Sequence, residues 1–168
     1  MVKHSNKLLA AVGTVVAAAA FAVSGLTAAS ASPAASPGIS GTEHFQVMST
    51  SVTASTGSVI AYGPVTAAGT APIGPQQVST AMFPDGTITI SHHQGKSSLH
   101  VNPKTCLVTI AGTGTYKILR GSGAYAGITG HGTYLLSIIQ IAARVSGTCS
   151  QTALASQELL QLSGPVHL

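Results

Sequence analysis

The acidic side chains of this chain are three in number, Glu43, Asp85 and Glu158. Hydrolysis by paired carboxylates needs two such groups within several ångströms of each other. These three lie far apart in the sequence and in separate predicted elements, so this chemistry is not expected. A Ser-His-Asp triad would have to use Asp85, which its Pro-Asp-Gly context already explains as a turn, and the chain has no G-x-S-x-G motif. The acidic residues therefore do not indicate a hydrolase.

Histidine is the most frequent ionisable residue, and His92, His93 and His100 lie close together in the sequence. One interpretation is a metal site formed by His92 and His100 across a hairpin. It is disfavoured because adjacent histidines cannot both point at one ion from a regular strand, and no nearby carboxylate offers a further ligand. The preferred interpretation places His92 inside the fold beside a hydrogen-bonding neighbour. We therefore expect no metal and no cofactor, and an exposed His131.

The two cysteines, Cys106 and Cys149, permit one intramolecular pairing. Free or metal-binding thiols are the alternative, but the chain has no C-x-x-C motif and no histidine within a few residues of either cysteine. We predict a disulfide between them. In the chain-entropy model it would stabilise the fold by roughly 3 to 4 kcal/mol.

A repeat with a period of nine occupies residues 112–134. Three G-x-G-x-Y units begin at Gly112, Gly121 and Gly130, and each is interpreted as a turn that delivers the chain into a strand. The segment contains no carboxylate for a calcium-binding nonapeptide roll, and its third glycine is misplaced for a dinucleotide fingerprint. We expect its glycines to be structural: Gly112, Gly114, Gly121, Gly123, Gly127, Gly130 and Gly132.

Short runs of β-branched and aromatic residues alternate with turn-forming residues from Glu43 onward, which predicts eight or nine strands. These runs are residues 43–52, 58–66, 77–83, 87–93, 99–102, 106–111, 115–119, 133–145 and 158–162. Turns are predicted at residues 84–86, 94–96 and 102–104. Leu135–Ala143 could be a strand or a short buried helix, and its isoleucines favour a strand. Gln151–Leu162 could form a helical turn. The pattern is typical of an all-β sandwich or barrel.

The glycine-rich segment Gly112–Tyr134, above all residues 121–134, resembles the signature of the allene oxide cyclase and dirigent-like β-barrel superfamily. In particular it is similar to small secreted actinobacterial members, and the resemblance extends over Phe45–Leu168. The resemblance implies a single antiparallel eight-stranded β-barrel, closed or nearly closed, whose interior can hold a small apolar molecule. It also implies a homo-oligomer, since plant relatives are often trimeric. The functional residues of the plant enzymes have no matching positions here, so the resemblance does not imply the cyclase reaction.

The N-terminal segment has the features of a secretory signal: Lys3 and Lys7, an apolar stretch over Leu8–Val23, and a small-residue cleavage site at residues 29–31. We predict a cleaved signal peptide over residues 1–31, a flexible lead-in over residues 32–42 and one β-barrel domain over residues 43–168. An uncleaved membrane anchor is the alternative interpretation. The mature protein is expected to be extracellular, without stable membrane insertion.

Charge is scarce, since charged residues make up 6% of the chain. Once the signal is removed, five basic and three acidic side chains leave a net charge of about +2. Five scattered cations cannot form the dense basic surface that nucleic acids require, so no nucleic-acid partner is expected.

These observations lead us to expect a secreted, disulfide-stabilised barrel without catalytic activity that binds a small apolar ligand. The candidate pocket residues are His92, Tyr116, Tyr125 and Tyr134, and no catalytic residue is assigned. One alternative is a cyclase-like or dirigent-like enzyme that steers a reactive intermediate in its cavity, and another is a structural protein of the cell envelope. A cavity of several hundred cubic ångströms lined by tyrosine and His92 would favour the binding and enzymatic hypotheses over the structural one.

Overall fold

The computed structural model describes residues 38–51 and 53–168. The predicted signal peptide of residues 1–31 lies outside the described residues. Eight strands follow one another: β1 (Ser40–Ser49), β2 (Thr56–Tyr62), β3 (Ala67–Pro72), β4 (Val78–Phe83), β5 (Gly86–Asn102), β6 (Leu107–Gly123), β7 (Thr129–Val145) and β8 (Thr148–His167). Each strand pairs antiparallel with the next, and β1 pairs with β8 to close the barrel. The predicted all-β barrel is thus confirmed. Within the described part of the chain, no helix is long and apolar enough to cross a membrane.

The strands fall into two length classes. Strands β1 to β4 have 6 to 10 residues, whereas β5 to β8 have 17 to 20. Residues 158–167 of β8 pair with β1, but residues 148–157 pair with β7 alone. The long strands therefore continue past the closed barrel as a four-stranded overhang, formed by the tips of the β5–β6 and β7–β8 hairpins.

Several predicted boundaries differ from the structure. The predicted turn at residues 94–96 is wrong, because these residues lie inside β5, and residues 95 and 96 form a β-bulge opposite Thr113. Two predicted strands accordingly merge into β5, and two more merge into β6. The helical turn considered for Gln151–Leu162 is also wrong, since this segment belongs to β8. Strand β1 begins at Ser40, inside the predicted lead-in.

The G-x-G-x-Y repeat has a different structural basis from the one predicted. Its middle unit does end β6 and leads into a turn, but the first and third units lie within β6 and β7. There Tyr116 is paired with Gly132, and Tyr134 with Gly114. A Cβ atom would lie 2.7 Å from Tyr116 Cε1 at Gly132 and 2.5 Å from Tyr134 Cε1 at Gly114. The repeat thus places each large ring over a glycine on the neighbouring strand.

The predicted disulfide between Cys106 and Cys149 is present, with a Cα–Cα distance of 5.4 Å. It joins the β5–β6 loop to the beginning of β8, so it holds the two hairpin tips of the overhang together. Arg144 reinforces the same junction: its Nη2 atom donates to the carbonyl oxygens of Pro103 and Lys104, each at 2.8 Å, and its Nη1 atom donates to the Gly147 carbonyl at 2.6 Å. The overhang is therefore cross-linked where it has no further strand partners.

Candidate functional site

The barrel interior is divided into a packed half and a hollow half. The packed half contains Tyr116, Tyr125 and Ile128, together with other side chains that are almost fully buried. The hollow half is a cavity of about 580 Å³ that extends toward the overhang. Eight residues belong both to the core and to the cavity wall, and we call three of them, Phe45, Tyr134 and Leu162, the floor between the two halves.

The cavity wall is mainly aliphatic. The inner faces of several strands contribute every second residue to it. On β7, Leu136 and Ile138 line the cavity, whereas Leu135 and Ile139 are exposed on the outer face. The same alternation on β4 directs Ala81 inward and Met82 outward. A wall of this composition is typical of a site that holds an apolar molecule.

His92 and Tyr134 are two of the four predicted pocket residues, and both line the cavity. Their rings meet edge to face, with centroids 5.7 Å apart. Burial lowers the pKa of His92, and interaction with the backbone of Gln76 only partly opposes this effect. His92 is therefore a neutral imidazole at neutral pH, able to donate and accept hydrogen bonds.

Tyr116 and Tyr125, the other two predicted pocket residues, lie in the packed half and do not line the cavity. Tyr116 stands edge to face against Phe45, with centroids 6.5 Å apart, so the floor separates it from the hollow half. Tyr125 makes a similar contact with Phe83 at 5.5 Å. Their burial depends on the glycines and turns around them, which the one-dimensional repeat does not reveal.

The loop between β3 and β4, residues 73–77, covers one side of the cavity. Its carbonyl at Gln77 accepts a hydrogen bond of 2.7 Å from the backbone N–H of His92, and the N–H of Ile73 donates to Ser55 at 3.1 Å. Strands β3 and β4 share a single register pair, Thr70 with Met82. The ladder between β3 and β4 is thus the shortest in the barrel, and this loop covers the cavity beside it.

Glu158 is a cavity residue that the sequence reasoning missed. It lies on β8 between Ile138 of β7 and Ser49 of β1, and it lines the cavity together with Leu160 and Leu162. Burial raises the pKa of Glu158, and the backbone of Gly74 works in the opposite direction. The signal was present in the strand parity, because residues 158, 160 and 162 of one strand must share a face.

Glu43 is a second acidic residue on the inner side of the barrel, but it lies in the packed half. It is fully buried, and its Oε2 atom accepts a hydrogen bond of 2.7 Å from the backbone N–H of Val65. Its Oε1 atom and the Tyr116 hydroxyl are both buried without a hydrogen-bond partner among the described residues. Burial raises the pKa of Glu43, and burial together with Glu43 raises the pKa of Tyr116 to about 12.

The remaining histidines do not converge with the cavity residues into a metal site. His93 lines the cavity beside His92, whereas His100 lies on the overhang and does not line it. His131 is exposed, but within β7 and not in the predicted turn. Over the part of the chain that the structure describes, no three His, Cys, Asp or Glu side chains are grouped so that they could hold a metal ion.

Comparison with known proteins adds no relative to these observations: no family model, no curated protein and no solved structure matches the chain. The resemblance to the allene oxide cyclase and dirigent-like superfamily therefore stays a prediction from the glycine-rich segment. The cavity is the feature of the structure that bears on function.

Proposed function

We propose that this protein is an exported, disulfide-stabilised β-barrel that binds a small, predominantly apolar molecule without transforming it. The observation that carries this proposal is the cavity of about 580 Å³ in the hollow half of the barrel. Its volume lies in the range of small-molecule sites, and its wall combines aliphatic side chains with several polar ones. The disulfide supports export, since such bonds persist in oxidising compartments.

The experiment that tests binding uses two neighbouring residues on opposite faces of β4. Ala81 is buried against the cavity, and Met82 is 55% exposed on the outside. We expect Ala81→Phe to fill part of the cavity and to weaken binding of an apolar probe, naphthalenemethanol, at least about tenfold. The matched control, Met82→Phe, should bind like the wild type. Isothermal titration calorimetry measures both affinities, and melting curves check that both variants fold.

Two results would contradict the proposal. One is a wild-type protein that does not bind the probe, and the other is an Ala81→Phe protein that binds as tightly as the wild type. In either case the hollow half would not be the binding site.

A cyclase or dirigent-type enzyme is the second candidate, favoured by the neutral His92 beside Tyr134 inside the cavity. A templating cavity of this kind acts mainly by orientation and needs little acid-base chemistry. Small molecules recovered from protein purified from its native culture medium distinguish the candidates. A compound that stays unchanged on renewed incubation supports binding, whereas conversion to a product supports the enzyme.

The trimer implied by the resemblance stays a prediction that size-exclusion chromatography with light scattering can test.

A further inference from the structure

Glu158 places an acidic group in the lining of the cavity without a basic side chain beside it. It is the single acidic side chain among the described residues that line the cavity, and no lysine or arginine lines it. The carboxyl group sits on the inner face of β8, next to Ile138 and Ser49, which cannot neutralise it. A half-buried acid without a basic partner is costly to ionise, as the raised pKa of Glu158 reflects.

The other ionisable side chains among the described residues that line the cavity are two histidines and one tyrosine, with no lysine or arginine. His92 and His93 line the cavity from β5, whereas Glu158 lines it from β8. His92 is held in its neutral form by burial, and its ring is packed against Tyr134. An anionic ligand would therefore lose its hydration, find no fixed cation and lie near an acidic side chain. A cationic ligand would instead supply the missing partner.

We propose that the cavity selects an apolar amine, with its hydrocarbon body against Ile110, Ile138 and Leu160 and its ammonium group paired with the Glu158 carboxylate. This inference rests on the proposed function and adds the chemical class of the ligand. An ammonium group donates charge-assisted hydrogen bonds to a carboxylate, which are stronger than those of a neutral hydroxyl group. The pair forms in a partly dehydrated cavity, where the attraction exceeds that in bulk water.

The test compares three probes with the same ring system: naphthylmethylamine, naphthalenemethanol and naphthoic acid. Calorimetry at pH 7 on the disulfide-intact protein should give an affinity for the amine that is at least about tenfold higher than that for the alcohol. The acid should bind more weakly than the alcohol. This comparison uses the wild type alone, so it does not depend on the folding of any variant.

Two variants locate the preference. Glu158→Gln keeps the shape of the side chain and removes its charge, so the amine should fall to the affinity of the alcohol while alcohol binding changes less than about twofold. Asp85→Asn removes an acid in the β4–β5 turn that does not line the cavity, and it should leave all three affinities unchanged.

The outcomes separate this inference from the proposed function. If the alcohol binds but the amine shows no preference, or if the preference survives in Glu158→Gln, the inference is overturned and the binding function stands. If none of the three probes binds, both the inference and the proposed function are overturned.

Discussion

At the scale of single residues, Gly123 and Gly127 flank the same turn but require glycine for different reasons. Both have a left-handed φ, +61° at Gly123 and +86° at Gly127. A Cβ atom at Gly123 would overlap the carbonyl oxygen of Asp85, whereas a Cβ at Gly127 would meet nothing within 4 Å. The first glycine is thus required by backbone conformation and by close approach, the second by conformation alone.

This difference predicts unequal losses of stability. Gly127→Ala should lower the free energy of unfolding by about 1 to 2 kcal/mol, the cost of a left-handed alanine. Gly123→Ala should cost more, because the Asp85 carbonyl also accepts a hydrogen bond of 2.8 Å from the N–H of Ala124 and cannot move freely. Urea unfolding measures both values. Equal losses, or a Gly123→Ala protein as stable as the wild type, would contradict the interpretation.

Glu43 predicts a pH-dependent effect. Burial raises its pKa in the folded state, so its contribution to stability is fully present below the unfolded pKa, near 4.5, and is lost as the pH rises through the folded pKa. Glu43→Gln keeps an acceptor for the Val65 N–H and removes the free-energy cost of burying an acid at pH 7, so it should stabilise the protein at that pH by roughly 1 to 3 kcal/mol.

The measurement is the difference in unfolding free energy between Glu43→Gln and the wild type at pH 7 and at pH 4. Contributions from Glu158 and the histidines occur in both proteins and cancel in this difference. The gain should shrink at pH 4. A variant that is less stable than the wild type at pH 7 would show that the carboxylate is better compensated than its surroundings indicate.

Residue parity within a strand predicts two of the inward-facing acidic residues. The alternation that places Phe45 and Val47 inward also places Glu43 inward, and Leu160 and Leu162 do the same for Glu158. The separation of Tyr116 from Tyr134 could not be read in this way, because both rings point into the barrel. What distinguishes them is their position along the barrel axis, which depends on strand register and closure.

At the scale of elements, the overhang is the part that depends most on covalent and local cross-links. Replacing both Cys106 and Cys149 by serine should lower the free energy of unfolding by roughly 3 to 4 kcal/mol in the chain-entropy model. In this variant we expect amide hydrogens in the hairpin tips to exchange faster than in the wild type. The reason is that about half of β5 and half of β8 have only one strand partner each. Exchange in β1 should change little. A uniform increase over the whole barrel would contradict this local role.

The elements that the sequence misplaced share a physical cause. Gln94-Gly95-Lys96 carries a turn-like composition, yet the chain continues as β5 because its neighbours on β6 pair on both sides of the bulge. Strand β3 was not predicted as a separate strand, since its residues, Ala67–Pro72, have little intrinsic strand preference. Its pairing with β2 over six register pairs stabilises the extended conformation that the local sequence does not favour. In both segments, pairing with a neighbouring strand determines the structure more than the local sequence does.

At the scale of the whole molecule, closure of the sheet explains why one end is packed and the other hollow. The rings of Tyr116, Tyr125 and Phe83 fill one half, while the other half is lined mainly by smaller aliphatic side chains. The resemblance of the glycine-rich segment to a barrel superfamily and the number of predicted strands both predicted a barrel. The volume and location of the cavity could not be predicted, because they depend on how all eight inner faces meet.

The central claim is that an apolar molecule binds in the hollow half, and methyl-labelled NMR tests it most directly. Intermolecular NOEs from naphthalenemethanol should reach the methyl groups of Leu136 and Ile138, which face the cavity, and not those of Leu135 and Ile139, their outward neighbours on β7. The alternation makes the two outcomes exclusive within one strand. NOEs confined to Leu135 and Ile139 would place the ligand on the outer surface and contradict the account.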